Sequence, residues 1–346
     1  MSSPRPDTAV APAPRRRGRR ILLVLGVLVV LLAGASVGGF YLVGETLGGN
    51  VDRVHDVFGP LQVAQRPDAG PGETFLVVGT DTRSAEPTTG SDAPAGVDAG
   101  SQRSDVIMLA QLAADRKSAS VVSIPRDSWV DVPGRGQNKI NAAYAFGGPS
   151  LLVATVEKLT GVRVDHFAVV DFAGFQAMVD AVGGIDVKVA AATSNGGVAF
   201  QEGLNHLDGP AALAYVRQRH GLPGGDLDRA HREQAALKAL LSKAAAEYAH
   251  PVELYRLIDA TSRTVSIDDT LSNGGLRDLA LSAAGLRPST ITFLNAPVAS
   301  FGREGAQSVD YLDGGRSAEL WADFRGGSVG AYAAKYPADR LADIPA

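Results

Sequence analysis

The sequence predicts an α/β domain with a mixed central β-sheet flanked by helices, and one transmembrane helix before it. Three observations support this prediction. Strand-forming runs alternate with helical apolar patterns between residues 73 and 327. Two of those runs are separated only by a polar turn, so at least one strand pair is antiparallel. Residues 21–43 carry no charge.

The uncharged segment 21–43 is long enough to cross a bilayer, because a helix of this length extends roughly 34 Å. Arginines cluster just before it, which keeps the N-terminus cytoplasmic and exports the rest of the chain. A cleaved signal peptide is the alternative, with a small-residue site at 33–35. A retained anchor is favoured because apolar residues continue to position 43, and it places the protein in the cell membrane. Both interpretations put the domain outside the cytoplasm.

The chain therefore divides into five predicted segments. These are a cytoplasmic basic tail (1–20), a transmembrane helix (21–43), a connector (44–72), an extracytoplasmic domain (73–327) and a C-terminal tail (328–346).

Within the domain, each element follows from its apolar pattern. Strands are predicted at 75–78, 106–112, 119–124, 166–170, 185–189, 290–296 and 308–312. Helices are predicted at 151–159, 172–182, 211–215, 226–248, 276–286 and 316–324. The strands at 106–112 and 119–124 should form a hairpin. The elements show no internal repeat and no convincing linker, which favours one domain.

Composition and missing motifs exclude several kinds of protein. The chain has no cysteine, so disulfides, thiolate metal sites and cysteine nucleophiles are excluded. The net charge of −4 argues against nucleic acid as a partner. The sequence contains no phosphate-binding P-loop and no H-E-x-x-H motif, and its six histidines lack metal-ligand spacing.

Aspartate and arginine residues recur where predicted strands begin or end. They are Asp81, Arg83, Arg103, Asp105, Arg126 and Asp127. Further along the chain, Arg217 and Arg219 share one face of a predicted extended segment (216–219), and the first turns of the next helix carry Asp226, Arg229 and Arg232. Ligands of open α/β sheets bind at strand ends, where arginines suit phosphate oxygens and paired carboxylates suit Mg²⁺. The alternative for each residue is an ordinary surface ion pair. We expect the set to form one phosphate-binding site.

Eight segments of the chain together resemble the LytR-CpsA-Psr family of cell-envelope proteins. They are VGTDTR (78–83), RSDVIML (103–109), VSIPRD (122–127), NKINAAYAFGG (138–148), DHFAVVDF (165–172), VGGIDV (182–187), ALAYVRQR (212–219) and DLDR (226–229). They occur in the family's order and cover most of residues 74–245.

The resemblance implies an α/β phosphotransferase that uses Mg²⁺. Its partners would be the membrane, a glycopolymer linked to a polyprenyl-pyrophosphate carrier, and peptidoglycan, which accepts the polymer through a phosphodiester. By position, the metal-binding residues would be Asp81 and Asp105. The pyrophosphate-binding residues would be Arg83, Arg103, Arg126, Arg217, Arg219 and Arg229. The residues predicted to be catalytic are Arg126, Asp105, Arg103 and Asp226.

The family also implies an apolar groove for the carrier's tail. Its candidate lining residues are Leu152, Val156, Phe175, Met178 and Leu237. For each of them the alternative is an ordinary core position.

Two features depart from the family pattern, and two other functions stay open. The loop between Asp81 and Asp105 is long and rich in Ala, Gly and Pro, and Glu233-Gln234 stands where relatives often have two glutamines. The same site could hydrolyse polyprenyl pyrophosphates, with water as acceptor. A non-catalytic protein that only binds lipid or polymer is the third possibility.

Overall fold

A computed structural model describes residues 51–81, 88–89, 103–246, 251–283 and 286–345 of the chain. These residues belong to one unit, which begins near residue 47. The predicted basic tail and transmembrane helix lie outside the described residues. Within the described part of the chain, no helix is both long enough and apolar enough to span a bilayer.

The described residues contain alternating strands and helices. The strands are β1 (Asp52–Val54), β2 (Glu73–Asp81), β3 (Arg103–Leu112), β4 (Ala119–Ser123), β5 (Trp129–Val132), β6 (Gly136–Lys139), β7 (His166–Asp171), β8 (Ile185–Val189), β9 (Thr193–Asn195), β10 (Val198–Phe200), β11 (Gly203–Leu207), β12 (Val265–Asp268), β13 (Ile291–Asn295), β14 (Val298–Glu304) and β15 (Gln307–Leu312). The helices are α1 (Ile140–Thr160), α2 (Phe172–Ala181), α3 (Gly209–Arg217), α4 (Asp226–Ala246), α5 (Pro251–Thr264), α6 (Asn273–Ala283), α7 (Gly314–Arg325) and α8 (Gly330–Lys335).

The central sheet is mixed, which confirms the predicted fold class. Its order in the described chain is β1-β12-β7-β2-β3-β4-β13. β2 is parallel to β7, and β4 is parallel to β13, whereas β3 runs antiparallel to both β2 and β4. The predicted β3–β4 hairpin is therefore present. The carboxyl ends of β2, β4, β7 and β13 consequently meet at one edge of the sheet, together with the start of β3.

Strand alternation divides the apolar side chains between the two faces of the sheet. Leu76 and Val78 point to the first face, which α1 and α7 cover. Met108 points to the second face, where α4 packs. Leu152 and Val156 on α1 are completely buried in the core of the first face. Their predicted role as groove lining is therefore wrong, because the packing of α1 gives them to the core.

The fold extends beyond the predicted domain at both ends. β1 lies at an edge of the sheet and pairs with β12, although residues 44–72 were predicted to be a connector. In the predicted tail, α8 places Tyr332 in the core at 2% exposure. A three-residue strand and a six-residue helix are too short to show a period in the sequence, which explains both differences.

Helix α1 is more than twice as long as its predicted part because a kink divides it. Gly147 has φ −155° and Gly148 has φ +60°, and Pro149 follows directly. Only glycine adopts the second of these angles without strain. The resulting Gly-Gly-Pro sequence resembles a loop, so the residues before it were not predicted to be helical. The helix α5 and the strand β12 also went unrecognised.

A buried ion pair joins the N-terminal segment to α1. Arg66 donates from Nε and Nη2 to the Glu157 carboxylate at 2.7–3.1 Å, and the side chains are 9% and 5% exposed. Arg66 Nη2 also donates to the Val164 carbonyl at 2.6 Å, and the Val164 amide donates to Glu157 at 2.9 Å. Both charges thus have hydrogen-bond partners, as burial requires.

We expect Glu157→Gln to lower the free energy of unfolding by about 3 kcal/mol, because Arg66 would keep a buried charge without a counterion. Lys335→Ala is the control, since its pair with Glu319 is 59% and 48% exposed. That control should cost less than about 1 kcal/mol. Urea unfolding of each variant measures the difference, and equal effects in the two variants would contradict the prediction.

Candidate functional site

The loop after β4 is fixed by backbone hydrogen bonds on both sides. The Ser128 amide donates to the Pro125 carbonyl at 3.0 Å and closes a turn. The first residues of α1 then hold the loop: the Asn141 amide donates to the Arg126 carbonyl at 3.2 Å, and the Ile140 amide donates to the Ser128 carbonyl at 2.9 Å. Arg126 therefore leaves the sheet edge from a rigid support.

A β-bulge presents Asp105 at the same edge. Gly79 pairs with Val106 and Thr80 pairs with Ser104, so Asp105 has no partner across the ladder. A bulge interrupts the alternation of side chains and redirects the extra residue. The carboxylate of Asp105 consequently meets the guanidinium of Arg126 in an ion pair.

Partly buried charges continue from this pair. The side chains of Arg126 and Asp105 are only 13% and 18% exposed. Arg126 Nε lies 3.8 Å from Asp127 Oδ2, and Asp127 Oδ1 in turn lies 3.0 Å from Lys139 Nζ. Charge interactions are stronger here than in water because little solvent surrounds them.

Helix α4 adds a second arginine to this group. Arg229 is 6% exposed and lines the same small pocket as Asp105 and Arg126. Its Nε lies 3.1 Å from Glu233 Oε1, one helical turn further along. Glu233, noted in the sequence as a departure from two glutamines, is therefore an ion-pair partner of Arg229.

Gln234 ties α4 to the end of the sheet. It is fully buried, and its Nε2 lies 2.8 Å from Ser123 Oγ on β4 and 2.6 Å from the Leu294 carbonyl on β13. The turn of α4 that carries Arg229 and Glu233 is thereby held against the strand that precedes Arg126. Sequence analysis did not assign Gln234 this role.

Arg232 supports the segment that carries two predicted phosphate-binding arginines. Its guanidinium is fully buried, 4.6 Å from the Tyr215 ring centroid, and its Nη1 donates to Gln218 Oε1 at 2.7 Å. Gln218 is buried between Arg217 and Arg219. Both arginines are exposed. Arg217 is the last residue of α3, whereas residues 216–219 were predicted to be extended.

Burial shifts the pKa values of the groups around Arg232. Desolvation lowers the pKa of Arg232, and its contact with Tyr215 opposes that shift. Burial raises the pKa of Tyr215 to about 12, against the nearby positive charge. Burial also lowers the pKa of His231, so this histidine is neutral near pH 7. Arg232 keeps its charge because even a lowered guanidinium pKa lies far above neutrality.

An apolar cavity of about 220 Å³ lies beside these charges, between the second face of the sheet and helices α2 and α4. Phe175, Met178 and Leu237 line it, whereas Leu152 and Val156 do not. Phe172 also lines it, and the Arg217 guanidinium lies 4.8 Å from the Phe172 ring centroid. Charged and apolar surfaces are therefore continuous.

The backbone places further predicted residues at this edge. Asp81 pairs with Arg103 across β2 and β3, and Asp226 is the first residue of α4. The side chains of these three residues, and the whole of Arg83, lie outside what the structure describes.

Among the described residues, no three His, Asp or Glu side chains form a cluster that could hold a metal alone. Mg²⁺ in phosphoryl-transfer sites is commonly held by one or two carboxylates and the substrate's phosphates. Asp105 stands on the strand next to Asp81, so the backbone brings two carboxylate-bearing residues to neighbouring strands at this edge.

Comparison with known proteins matches this geometry to a family. Residues 53–322 match the model of the LytR_cpsA_psr family. The chain is 31% identical to the cell wall biosynthesis protein LcpA of Corynebacterium glutamicum, covering 89% of this chain and 67% of that protein. It is 33% identical to the polyisoprenyl-teichoic acid–peptidoglycan teichoic acid transferase TagU of Oceanobacillus iheyensis, covering 77% of this chain and 82% of that protein.

A solved structure agrees with the sequence comparison. The crystal structure of Bacillus subtilis TagV superimposes with a TM-score of 0.59 at 26% identity, covering 75% of this chain and 97% of that one. The family match spans most of the described fold and includes every segment that builds the site. The chain therefore belongs to the LytR-CpsA-Psr family.

Proposed function

We propose that this protein is a Mg²⁺-dependent phosphotransferase. It moves a glycopolymer from a polyprenyl-pyrophosphate carrier to a peptidoglycan hydroxyl, with formation of a phosphodiester. The observation that carries the proposal is the arginine cluster at the sheet edge, next to an apolar cavity. A lipid pyrophosphate has the same two parts, an anionic head and an apolar tail. The activity named for TagU supports this assignment.

Binding of the head group would exchange one set of anions for another. Without substrate, Asp105 forms an ion pair with Arg126, and Glu233 forms one with Arg229. A pyrophosphate carries more negative charge than either carboxylate and offers paired oxygens, which suit the planar fork of a guanidinium. The exposed Arg217 and Arg219 would meet the same group from α3 and the residues after it.

The cavity would hold part of the polyprenyl chain. Its lining carries almost no polar atoms, apart from the carboxylates of Asp171 and Glu233 at its edge. Each buried methylene contributes about 0.8 kcal/mol to binding. Because Arg217 lies over Phe172 at the cavity, a carrier with its tail inside would bring its phosphates toward the arginines.

Transfer requires one bond to form and one to break. The acceptor oxygen attacks the phosphorus attached to the glycopolymer, and the P–O bond to polyprenyl phosphate breaks, so polyprenyl phosphate leaves with the electron pair. Arg126 and Arg229 stabilise the charge that develops on the phosphoryl oxygens. The acceptor's proton passes to a carboxylate, for which Asp105 and Asp226 are the candidates.

Asp81 and Asp105 would hold the Mg²⁺ ion. When bound, the ion neutralises negative charge on the pyrophosphate oxygens. Residues 21–43 would anchor the enzyme in the cell membrane with its domain outside, where its lipid-linked substrate ends at the bilayer surface.

The direct experiment incubates the protein with a synthetic polyprenyl-pyrophosphate oligosaccharide, MgCl₂ and peptidoglycan fragments, and identifies products by mass spectrometry. We expect a phosphodiester-linked conjugate that is lost with EDTA and restored by Mg²⁺. Sugar phosphate without conjugate would favour the pyrophosphatase instead. Tight lipid binding without any product would favour the non-catalytic protein.

We expect Arg126→Ala to lower the transfer rate by about 10²-fold or more, because it removes a preorganised cation from the phosphoryl oxygens. Arg126→Lys should recover only part of the rate, since an ammonium lacks the guanidinium's fork.

Arg116→Ala is the matched control for Arg126. Arg116 lies in the β3–β4 turn at the opposite end of the same hairpin, paired with Glu73. Initial rates and unfolding curves of all three variants check the prediction. A folded Arg126→Ala enzyme with the wild-type rate would exclude Arg126 from the site.

We expect Met178→Trp to weaken the use of long carriers, because the larger ring fills the cavity where Met178 lies. KM for a long polyprenyl substrate should rise about tenfold or more, and KM for a short-chain analogue should change less. Ile258→Trp is the control, since Ile258 is 39% exposed on α5, outside the cavity lining. Equal KM changes for both chain lengths would exclude the cavity as the tail site.

A further inference from the structure

A second, larger cleft opens on the other side of the sheet. Its volume is about 650 Å³, and it lies among the β5–β6 hairpin, the end of α1, β15 and α7. None of the residues assigned to phosphate, metal or lipid lines it. The aromatic residues of its lining are Trp129, Tyr311 and Trp321.

One wall is a single face of α7. Ser317, Trp321 and Arg325 are spaced four residues apart and therefore lie above one another on the helix. Arg325 Nη1 donates to the Thr160 carbonyl at 2.6 Å, which holds its side chain across the end of α1. Ala318 is exposed on the same face and leaves the centre of this wall without a large side chain.

The facing wall comes from the β5–β6 hairpin and from β15, which pairs with β14. Trp129 and Asp131 are two residues apart on β5 and so share one face of the strand. Asp131 pairs with Gln137 on β6. Tyr311 on β15 donates its hydroxyl to Glu304 at 2.7 Å, which fixes its ring. Asp131 also forms an ion pair with Lys158 on α1.

The chemistry of this cleft differs from that of the lipid cavity. The lipid cavity is almost purely apolar, whereas the lining here combines the half-buried rings of Trp129 and Tyr311 and the 3%-exposed Trp321 with an amide, a carboxylate and cations. A sugar ring has the matching surface, because its C–H face packs on an aromatic ring while its hydroxyl and acetamido groups hydrogen-bond at the edge. A lipid tail would leave the polar side chains of the cleft desolvated.

The cleft begins close to the loop that carries Arg126. Trp129 follows Arg126 by three residues, so their Cα atoms are at most about 11 Å apart. The Asp310 amide, next to Tyr311, donates to the Asp127 carbonyl at 2.9 Å. The arginines thus lie next to the apolar cavity on one side of the sheet and near Trp129 and Tyr311 of the aromatic cleft on the other. In-line phosphoryl transfer needs its acceptor and its leaving group on opposite sides of the phosphorus.

We propose that this cleft binds the glycan strand of the acceptor, as a run of N-acetylated hexosamine units. The identification of the saccharide as acceptor rests on the function proposed above. The lipid part of the donor would occupy the far side of the sheet, so the cleft is available to the second substrate.

The tryptophans give a direct readout of binding. The whole chain has two tryptophans, and both line this cleft. Intrinsic tryptophan fluorescence of the full-length protein in detergent therefore reports on the cleft without any requirement for turnover. The probe is a soluble, peptide-free glycan strand of alternating N-acetylglucosamine and N-acetylmuramic acid. The second arm uses the donor's oligosaccharide freed from its carrier.

We expect a saturable spectral change with the peptidoglycan strand, and about tenfold weaker binding in Ala318→Arg, whose side chain would fill the cleft. Ala322→Arg is the matched control, because Ala322 is exposed on the same helix but outside the cleft lining. It should bind like the wild type. In the transfer assay, Ala318→Arg should raise KM for long strands and leave KM for a single disaccharide unchanged.

Several results would overturn the proposal. They are no spectral change with either saccharide, binding of the donor oligosaccharide alone, and equal affinity of Ala318→Arg and Ala322→Arg for the strand. Binding of the strand detected by fluorescence, without any transfer, would support the cleft as a glycan site and exclude the transferase function. Transfer to long strands at the same KM in both variants would leave the transferase function standing and exclude the cleft as the acceptor site.

Discussion

The arrangement of the site follows from the cost of keeping guanidinium groups charged while they are largely removed from water. Arg126, Arg229 and Arg232 are each mostly buried, and a buried charge is tolerated only with hydrogen-bonding or anionic partners. Asp105, Glu233 and Gln218 meet that requirement. The protein therefore folds around a site already organised for anions, and substrate phosphates would replace partners that are in position.

The mixed sheet explains why these groups converge and why two different cavities adjoin them. The strands that run in one direction end at the edge where β3 begins, so residues distant in sequence become neighbours there. The two faces are covered differently. Helices α1 and α7 fill the first face with core, whereas α2 and α4 leave an apolar opening on the second. One sheet thus separates the apolar cavity from the aromatic cleft and holds the charged residues at its edge.

Much of the fold and part of the site could be predicted from the sequence. Long apolar strands such as β2 and β3 have a clear pattern, and charges at their ends indicate a shared edge. Contacts that depend on packing could not be predicted. The Gln218–Arg232 hydrogen bond has no local signal, and a leucine on α1 looks the same in sequence whether it lines a groove or the core. Strand β1 is too short to show periodicity. The bulge at Asp105 depends on the register between β2 and β3, which the sequence does not show.

The bulge at Asp105 has a consequence for how this protein changes over time. Deleting one residue from β3 would restore regular pairing with β2, and a regular ladder is favourable for a sheet. The same deletion would turn the carboxylate away from Arg126. Selection for thermal robustness alone would thus tend to repair the irregularity and abolish the site. The extra residue in β3 thus trades ladder regularity for the ion pair between Asp105 and Arg126.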